Sequence, residues 1–218
     1  LDAADVKAAA QEAWDKRVHN AGQACTSNKR IIVMDDIYDE FVDEMVRIAE
    51  GMKQADPTQP GENQYYPMSS RSAAENLDKQ VQRAVDNGAT IRTGGELHET
   101  AAYYTPTVLT DVPVGSESYY EEFFGPVAEI YKVSSEKEAV ELANNSNYGL
   151  GGAVFSEDTE RATNVADQID TGMIHVNLGQ YFSPVLPFGG IKNSGYGREL
   201  SVFALDEFVN KQYLYIND

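Results

Sequence analysis

The sequence predicts an α/β fold, a mostly parallel, doubly wound sheet with helices on both faces. Three observations predict it. Short apolar runs alternate along the chain with segments whose apolar residues recur at helical spacing. Gly22, Gly88 and Gly94-Gly95 punctuate the ends of those segments. Strand and helix alternate rather than cluster by type, which is the order βαβ units produce.

The elements follow in chain order. Asp2 is positioned as an N-cap for a first helix with Val6, Ala9, Ala10, Ala13 and Trp14 on one face, ended by Gly22. Ile31 to Met34 reads as a buried strand. Asp36 then caps a helix carrying Phe41, Met45, Ile48 and Met52. Residues 53–67, with Pro57, Pro60, Gly61 and Pro67, read as a loop. Ser69 or Ser70 opens a long helix to about Asn87, with Leu77, Val81 and Val85 inward. Thr90 to Thr93 is a short strand, Tyr103 to Leu109 an extended run, and Val127 to Val133 a strand. Ser135 caps a helix to about Asn144. Gly151–Phe155, Thr159–Ile169 and Met173–Val176 read as strand, helix and strand. A glycine-rich segment follows from Leu178 to Gly197. A short helix (Leu200 to Val209) and a last strand (Tyr213 to Ile216) close the chain.

Composition narrows the function classes. The 218 residues suffice for one large domain or two small ones, with a sizeable core. Lys and Arg number 17 against 35 Asp and Glu, a net charge of −18. Such a surface repels phosphate backbones and anionic membrane faces, so neither nucleic acid nor membrane is an expected partner. No apolar run approaches the length of a membrane span, and the acidic start does not read as a signal peptide. The lone cysteine, Cys25, forms no internal disulfide, which fits a reducing compartment and a cytoplasmic location. It also excludes a zinc site with two thiolates, and no metal site is expected. The chain opens directly on a helical pattern with no Met, which suggests an excised domain.

Cys25 is the first candidate for chemistry. A lone cysteine is most often a buried, inert thiol. This one lies in a turn rich in Gly, Gln, Thr and Ser, not in an apolar stripe. A catalytic cysteine needs partial exposure and backbone N–H groups aimed at a developing oxyanion, and a turn provides both. Lys29 and Arg30 add positive charge nearby in sequence. None of His19, His98 and His175 is an obvious partner for the thiol. Glu121-Glu122, beside Phe123-Phe124-Gly125-Pro126, offers carboxylates that could accept hydrogen bonds from a diol such as a ribose, with an aromatic alongside. Pro187-Phe188-Gly189-Gly190 opens a motif to Glu199 whose four glycines sit at fixed offsets, with Lys192, Ser194 and Arg198 between. Gly195-Tyr196-Gly197 alone is no phosphate loop, since it lacks the Lys-Ser/Thr end and the strand–turn–helix frame.

Together these segments resemble the aldehyde dehydrogenase superfamily. The matching motifs are Asn20-x-Gly22-Gln23-x-Cys25, Glu121 to Val127, Asn144 to Gly149 and Pro187 to Glu199, in the family's order and spacing over nearly the whole chain. The tail from Arg198 to Asn210 is most similar to short bacterial succinate-semialdehyde dehydrogenases. The resemblance implies a catalytic domain at residues 1–208 and a C-terminal oligomerisation strand at 209–218, hence a homo-oligomer. It implies oxidation of a small aldehyde to a carboxylic acid. Cys25 would attack the aldehyde to give a thiohemiacetal, hydride would pass to NAD or NADP, and water would hydrolyse the resulting thioester. Glu122 would bind the nicotinamide ribose and Phe124 would pack on the cofactor. Asn20, His19 and Asn177 would border the substrate pocket.

The family's dinucleotide-binding domain, its general-base glutamate in a Glu-Leu-Gly-Gly segment and its oxyanion-hole asparagine all precede this region. The chain alone is therefore expected not to turn over. Several succinate-semialdehyde enzymes carry an arginine at the position of His19, which can hold a carboxylate only when protonated. Two alternatives stand beside this reading: a thiol enzyme transferring acyl groups, either CoA-acylating or esterase-like, and a non-catalytic assembly module.

Overall fold

A computed structural model describes residues 1–3, 5–59 and 61–218. In chain order the elements are α1 (Val6–Val18), a 3-10 turn (His19–Gly22), β1 (Arg30–Met34), α2 (Tyr38–Gly51), β2 (Lys53–Gln54), β3 (Gln64–Tyr65), α3 (Arg71–Asp86), β4 (Thr90–Thr93) and β5 (Thr107–Thr110). They continue with α4 (Glu117–Tyr120), β6 (Val127–Val133), α5 (Glu136–Asn144), β7 (Tyr148–Gly149), β8 (Gly151–Val154), α6 (Thr159–Ala166), β9 (Met173–Val176), β10 (Ile191–Lys192) and a 3-10 segment (Val202–Phe208).

The main sheet has the order β1-β6-β5-β4. β1, β6 and β5 are parallel, and β4 joins antiparallel at the edge. β6 is central and buried on both faces, which explains its nearly continuous apolar run. Its residues alternate between two cores. Ala128 and Ile130 meet α1 and α2 on one face, around Trp14, Phe41 and Met45. Val127, Tyr131 and Val133 meet α3 and α5 on the other, around Leu77, Val81 and Leu142. Helices thus cover both faces, as the sequence predicts. A second unit, β8-α6-β9, has parallel strands and its own small core of Val154, Ala162, Val165 and Ala166.

Several boundaries differ from the sequence reading, each for a local reason. The N-cap of α1 is Asp5, whose carboxylate accepts from the Ala8 N–H at 3.0 Å. Asp2 instead takes the Arg161 guanidinium at 2.5 Å and the Glu157 N–H at 2.9 Å. α2 starts at Tyr38 with no side-chain cap, and Asp39 and Glu40 in its first turn face the positive end of the helix dipole. Residues 53–67 include the parallel pair β2–β3. α6 stops at Ala166 because Gln168 and Ile169 turn back with short-range bonds to Val165 and Ala166. The last helix is a 3-10 segment with no buried residue. Ser70 and Ser135 cap α3 and α5 as expected. Residues 213–216, expected as a strand, form no ladder among the described residues, and Tyr213, Leu214, Tyr215 and Ile216 are all strongly exposed.

Candidate active site

The site grows from the parallel pairing of β1 and β6. Arg30 is in register with Glu129, and the Glu129 N–H donates to the Lys29 carbonyl at 3.2 Å. The segments leading into the two strands therefore lie side by side. One carries Cys25, the other Glu121 to Pro126.

The Cys25 loop is shaped by unusual backbone. Asn20 and Ala21 are left-handed (φ 53° and 55°), and so is Gly22 (φ 73°). Asn20 tolerates that conformation better than most residues. Its side-chain amide donates to the Gln23 carbonyl at 3.1 Å. The Ser27 N–H closes a turn on the Ala24 carbonyl at 3.0 Å, leaving Cys25 exposed at its tip. Gly22 sits directly against Gly125, and an added Cβ would lie 2.1 Å from the Gly125 oxygen. That contact presses the cysteine loop onto the Glu122–Phe124 corner.

Two cations hold the assembly. Arg17 is fully buried and donates to the carbonyls of Gly22 (2.6 Å) and Asn28 (3.3 Å), clamping both ends of the loop. Burial lowers its pKa to about 10, opposed by the nearby carboxylates of Glu129 and Glu122. The guanidinium thus stays charged at neutral pH. Lys29 pairs with Glu122 at 2.7 Å. Burial lowers the Lys29 pKa, while the hydrogen bond to Glu122 works against that shift.

The two adjacent glutamates separate in role. Glu121 pairs with Arg83 of α3 at 2.5 Å, while Glu122 faces the cysteine loop. Phe124 is 42% exposed, with its ring 5.6 Å from the Lys29 ammonium. A cavity of about 650 Å³ is lined by Cys25, Glu122, His175, Gln180 and Phe188, among others. His175 accepts the Tyr181 N–H at Nε2 (3.2 Å), which places its proton on Nδ1, 3.3 Å from the Gly152 carbonyl.

The structure therefore brings Cys25, Glu122 and Phe124 together. His19 and Asn20 are exposed just upstream and do not line the cavity. Asn177, left-handed at the end of β9, spends its carbonyl oxygen on the Ser156 N–H at 2.9 Å and also lies outside the cavity lining.

The aldehyde dehydrogenase family model matches residues 1–214. The chain belongs to this family. A succinate-semialdehyde dehydrogenase [NADP(+)] of Deinococcus radiodurans is 48% identical over 97% of this chain and 44% of its own length. A succinate-semialdehyde dehydrogenase [NADP(+)] 1 of Mycobacterium tuberculosis is 40% identical over 99% of this chain and 47% of its own. Among solved aldehyde dehydrogenases, the succinic semialdehyde dehydrogenase of Streptococcus pyogenes in complex with NADP+ superposes with a TM-score of 0.92. It is 45% identical, and the match covers 100% of this chain and 48% of that one. The chain thus spans about half the length of the family members it matches.

Sequence reasoning left three site residues without a role. Arg17 had no reading at all. Lys29 read as positive charge of unknown direction. His175 had no assigned place. A single sequence signals a buried arginine only weakly, because its partners are backbone carbonyls that every sequence supplies.

Proposed function

We propose that the chain carries the nucleophilic half of an NADP-dependent succinate-semialdehyde dehydrogenase. The observation that carries this reading is the exposed Cys25 thiol on a turn packed against Glu122, in a chain of this family. The names of the relatives supply the substrate and the cofactor.

In this reading the Cys25 sulfur attacks the aldehyde carbon, and the turn's own N–H of Cys25 stabilises the oxyanion. The residues present fit part of a dinucleotide. Lys29 holds Oε1 of Glu122, which leaves Oε2 to accept from ribose hydroxyls. Phe124 offers an exposed ring for packing. A bound nicotinamide supplies the hydride acceptor that converts the thiohemiacetal to a thioester, and water then releases the acid. Asn20 fixes the shape of the cysteine loop. His19, exposed upstream of the loop, and Asn177, whose carbonyl oxygen holds the Ser156 N–H, both lie outside the cavity lining and are given no contact with the substrate.

Iodoacetamide labelling of the 218-residue chain tests the reading. Succinate semialdehyde should slow labelling of Cys25 by forming the thiohemiacetal, Cys25→Ser should abolish labelling, and steady NADP+ reduction by these residues alone is not expected. Labelling indifferent to the aldehyde would refute the reading. Catalytic hydrolysis of a p-nitrophenyl ester without dinucleotide would favour the thiol acyl-transfer alternative instead.

The partner proposed for residues 209–218 is a second copy of the chain. Tyr213 to Ile216 expose large apolar side chains, and an unpaired extended segment is a template for strand addition. Light scattering should show a dimer or larger, and a clean monomer at high concentration would count against it.

A further inference from the structure

We propose that Lys29 is a positioning residue that couples the Cys25 loop to the carboxylate of Glu122, so that neutralising Glu122 makes the Cys25 thiol more reactive. The proposal rests on the reading of Cys25 as nucleophile and Glu122 as cofactor ligand.

One nitrogen makes all the contacts. Lys29 Nζ lies 2.7 Å from Glu122 Oε1. It also lies 3.2 Å from the Ala24 carbonyl oxygen, 3.3 Å from that of Cys25 and 3.2 Å from that of Ser27. The Phe124 ring centroid is 5.6 Å away. An ammonium has three hydrogens and here meets four acceptors. The short contact to the carboxylate takes one hydrogen, and the three loop carbonyls share the other two. The lysine side chain is only 15% exposed, which is unusual for this residue and costly unless the charge is paired.

The conformation of the cysteine turn and the orientation of Glu122 are therefore set by the same atom. Hydroxyl donors arriving at Glu122 draw off part of its charge. The ammonium is then less compensated by the carboxylate, and its field favours a thiolate on the turn wrapped around it. The coupling has a definite sign: occupancy at Glu122 activates Cys25. Without Lys29 only the direct field of the Glu122 carboxylate on the thiol remains.

A double-mutant cycle on the 218-residue chain tests this, because Cys25 is its one cysteine and any thiol label reports on it alone. The readout is the rate of iodoacetamide alkylation from pH 6 to 10. Glu122→Gln mimics neutralisation and should speed alkylation at pH 7 roughly two- to five-fold. Lys29→Met should slow it by a similar factor. In the Lys29→Met background the response to Glu122→Gln should differ from that in the parent chain, because only the direct field of the carboxylate remains. Lys29→Arg keeps the charge and should preserve the response to Glu122→Gln, which keeps the test readable if Lys29→Met fails to fold. Additive effects of the two substitutions, or a pH profile indifferent to both, would overturn the proposal. Failure of the aldehyde to protect Cys25 is a separate result, and it bears on the proposed function rather than on this coupling.

Discussion

Replacing Gly22 by alanine should unseat the cysteine loop, and the structure sets the size of the effect. Gly22 has φ +73°, and a Cβ there would lie 2.1 Å from the Gly125 oxygen, 2.4 Å from its carbonyl carbon and 2.7 Å from the Arg17 guanidinium. The left-handed backbone alone costs an L-residue about 1–2 kcal/mol. Overpacking a closed contact adds about 1–3 kcal/mol. Gly125 has no room to retreat, since its own Cα faces a Leu77 methyl that an added Cβ would meet at 2.3 Å. The sum is about 2–5 kcal/mol, or roughly 5–15 °C of melting temperature for a chain of this size. Gly51→Ala is the control, because Gly51 lies in α2 with nothing within 4 Å of an added Cβ and the exchange should be neutral or slightly stabilising. Thermal melts and the rate of Cys25 alkylation should both change for Gly22→Ala and neither for Gly51→Ala. A Gly22→Ala chain with the parental melting point and the parental alkylation rate would refute the claim that this contact seats the loop.

Two further outcomes follow from the buried charges beneath the loop. Arg17→Met removes the donors to the Gly22 and Asn28 carbonyls and should raise amide hydrogen exchange across residues 22–28, with a stability loss of about 2–4 kcal/mol. Unchanged exchange there would show that the clamp is dispensable. Glu129 is buried, and desolvation raises its pKa from 4.5 to about 8, with a hydrogen bond from Tyr131 acting the other way. The folded chain keeps that proton while the unfolded chain releases it, so stability falls as pH rises from about 5 to about 8. Glu129→Gln should flatten this slope in urea melts, and a slope that survives the substitution would assign it to other groups.

The central fold was legible because its elements carry local signals. The apolar run at Val127–Val133 marks a strand buried on both faces, and Ser70 and Ser135 cap their helices with the expected geometry. Asp2 and Asp36 misled because acidic residues cluster near both helix starts, and a cap is decided by backbone torsion rather than by residue type. The expected strand at residues 213–216 does not form a ladder among the described residues, and its side chains stay exposed. In the site, Cys25 and Glu122 were legible as motifs, but their adjacency was not. It depends on β1 lying parallel beside β6, a pairing between residues about a hundred positions apart. Arg17 and Lys29 were illegible for a related reason. Arg17 meets the backbone carbonyls of Gly22 and Asn28, and Lys29 meets those of Ala24, Cys25 and Ser27 besides the Glu122 carboxylate.

The divergence of Glu121 and Glu122 shows how that geometry selects one of two chemically identical groups. Glu121 is extended (φ −75°, ψ 152°), and successive side chains of an extended backbone point to opposite sides. One carboxylate must then turn toward α3 and the other toward the cysteine loop. Arg83 meets the first and Lys29 the second. The burial of Gly125 against Gly22 fixes which is which, because it sets the corner's distance from the loop. Glu121→Gln should therefore loosen the hold on α3 and lower the melting temperature without altering Cys25 alkylation. Glu122→Gln should alter alkylation and also lower the melting temperature, since it takes the charge partner from a Lys29 ammonium that is only 15% exposed. The reverse pattern, with Glu121→Gln changing thiol reactivity and Glu122→Gln only stability, would mean that the corner presents the other carboxylate to the site.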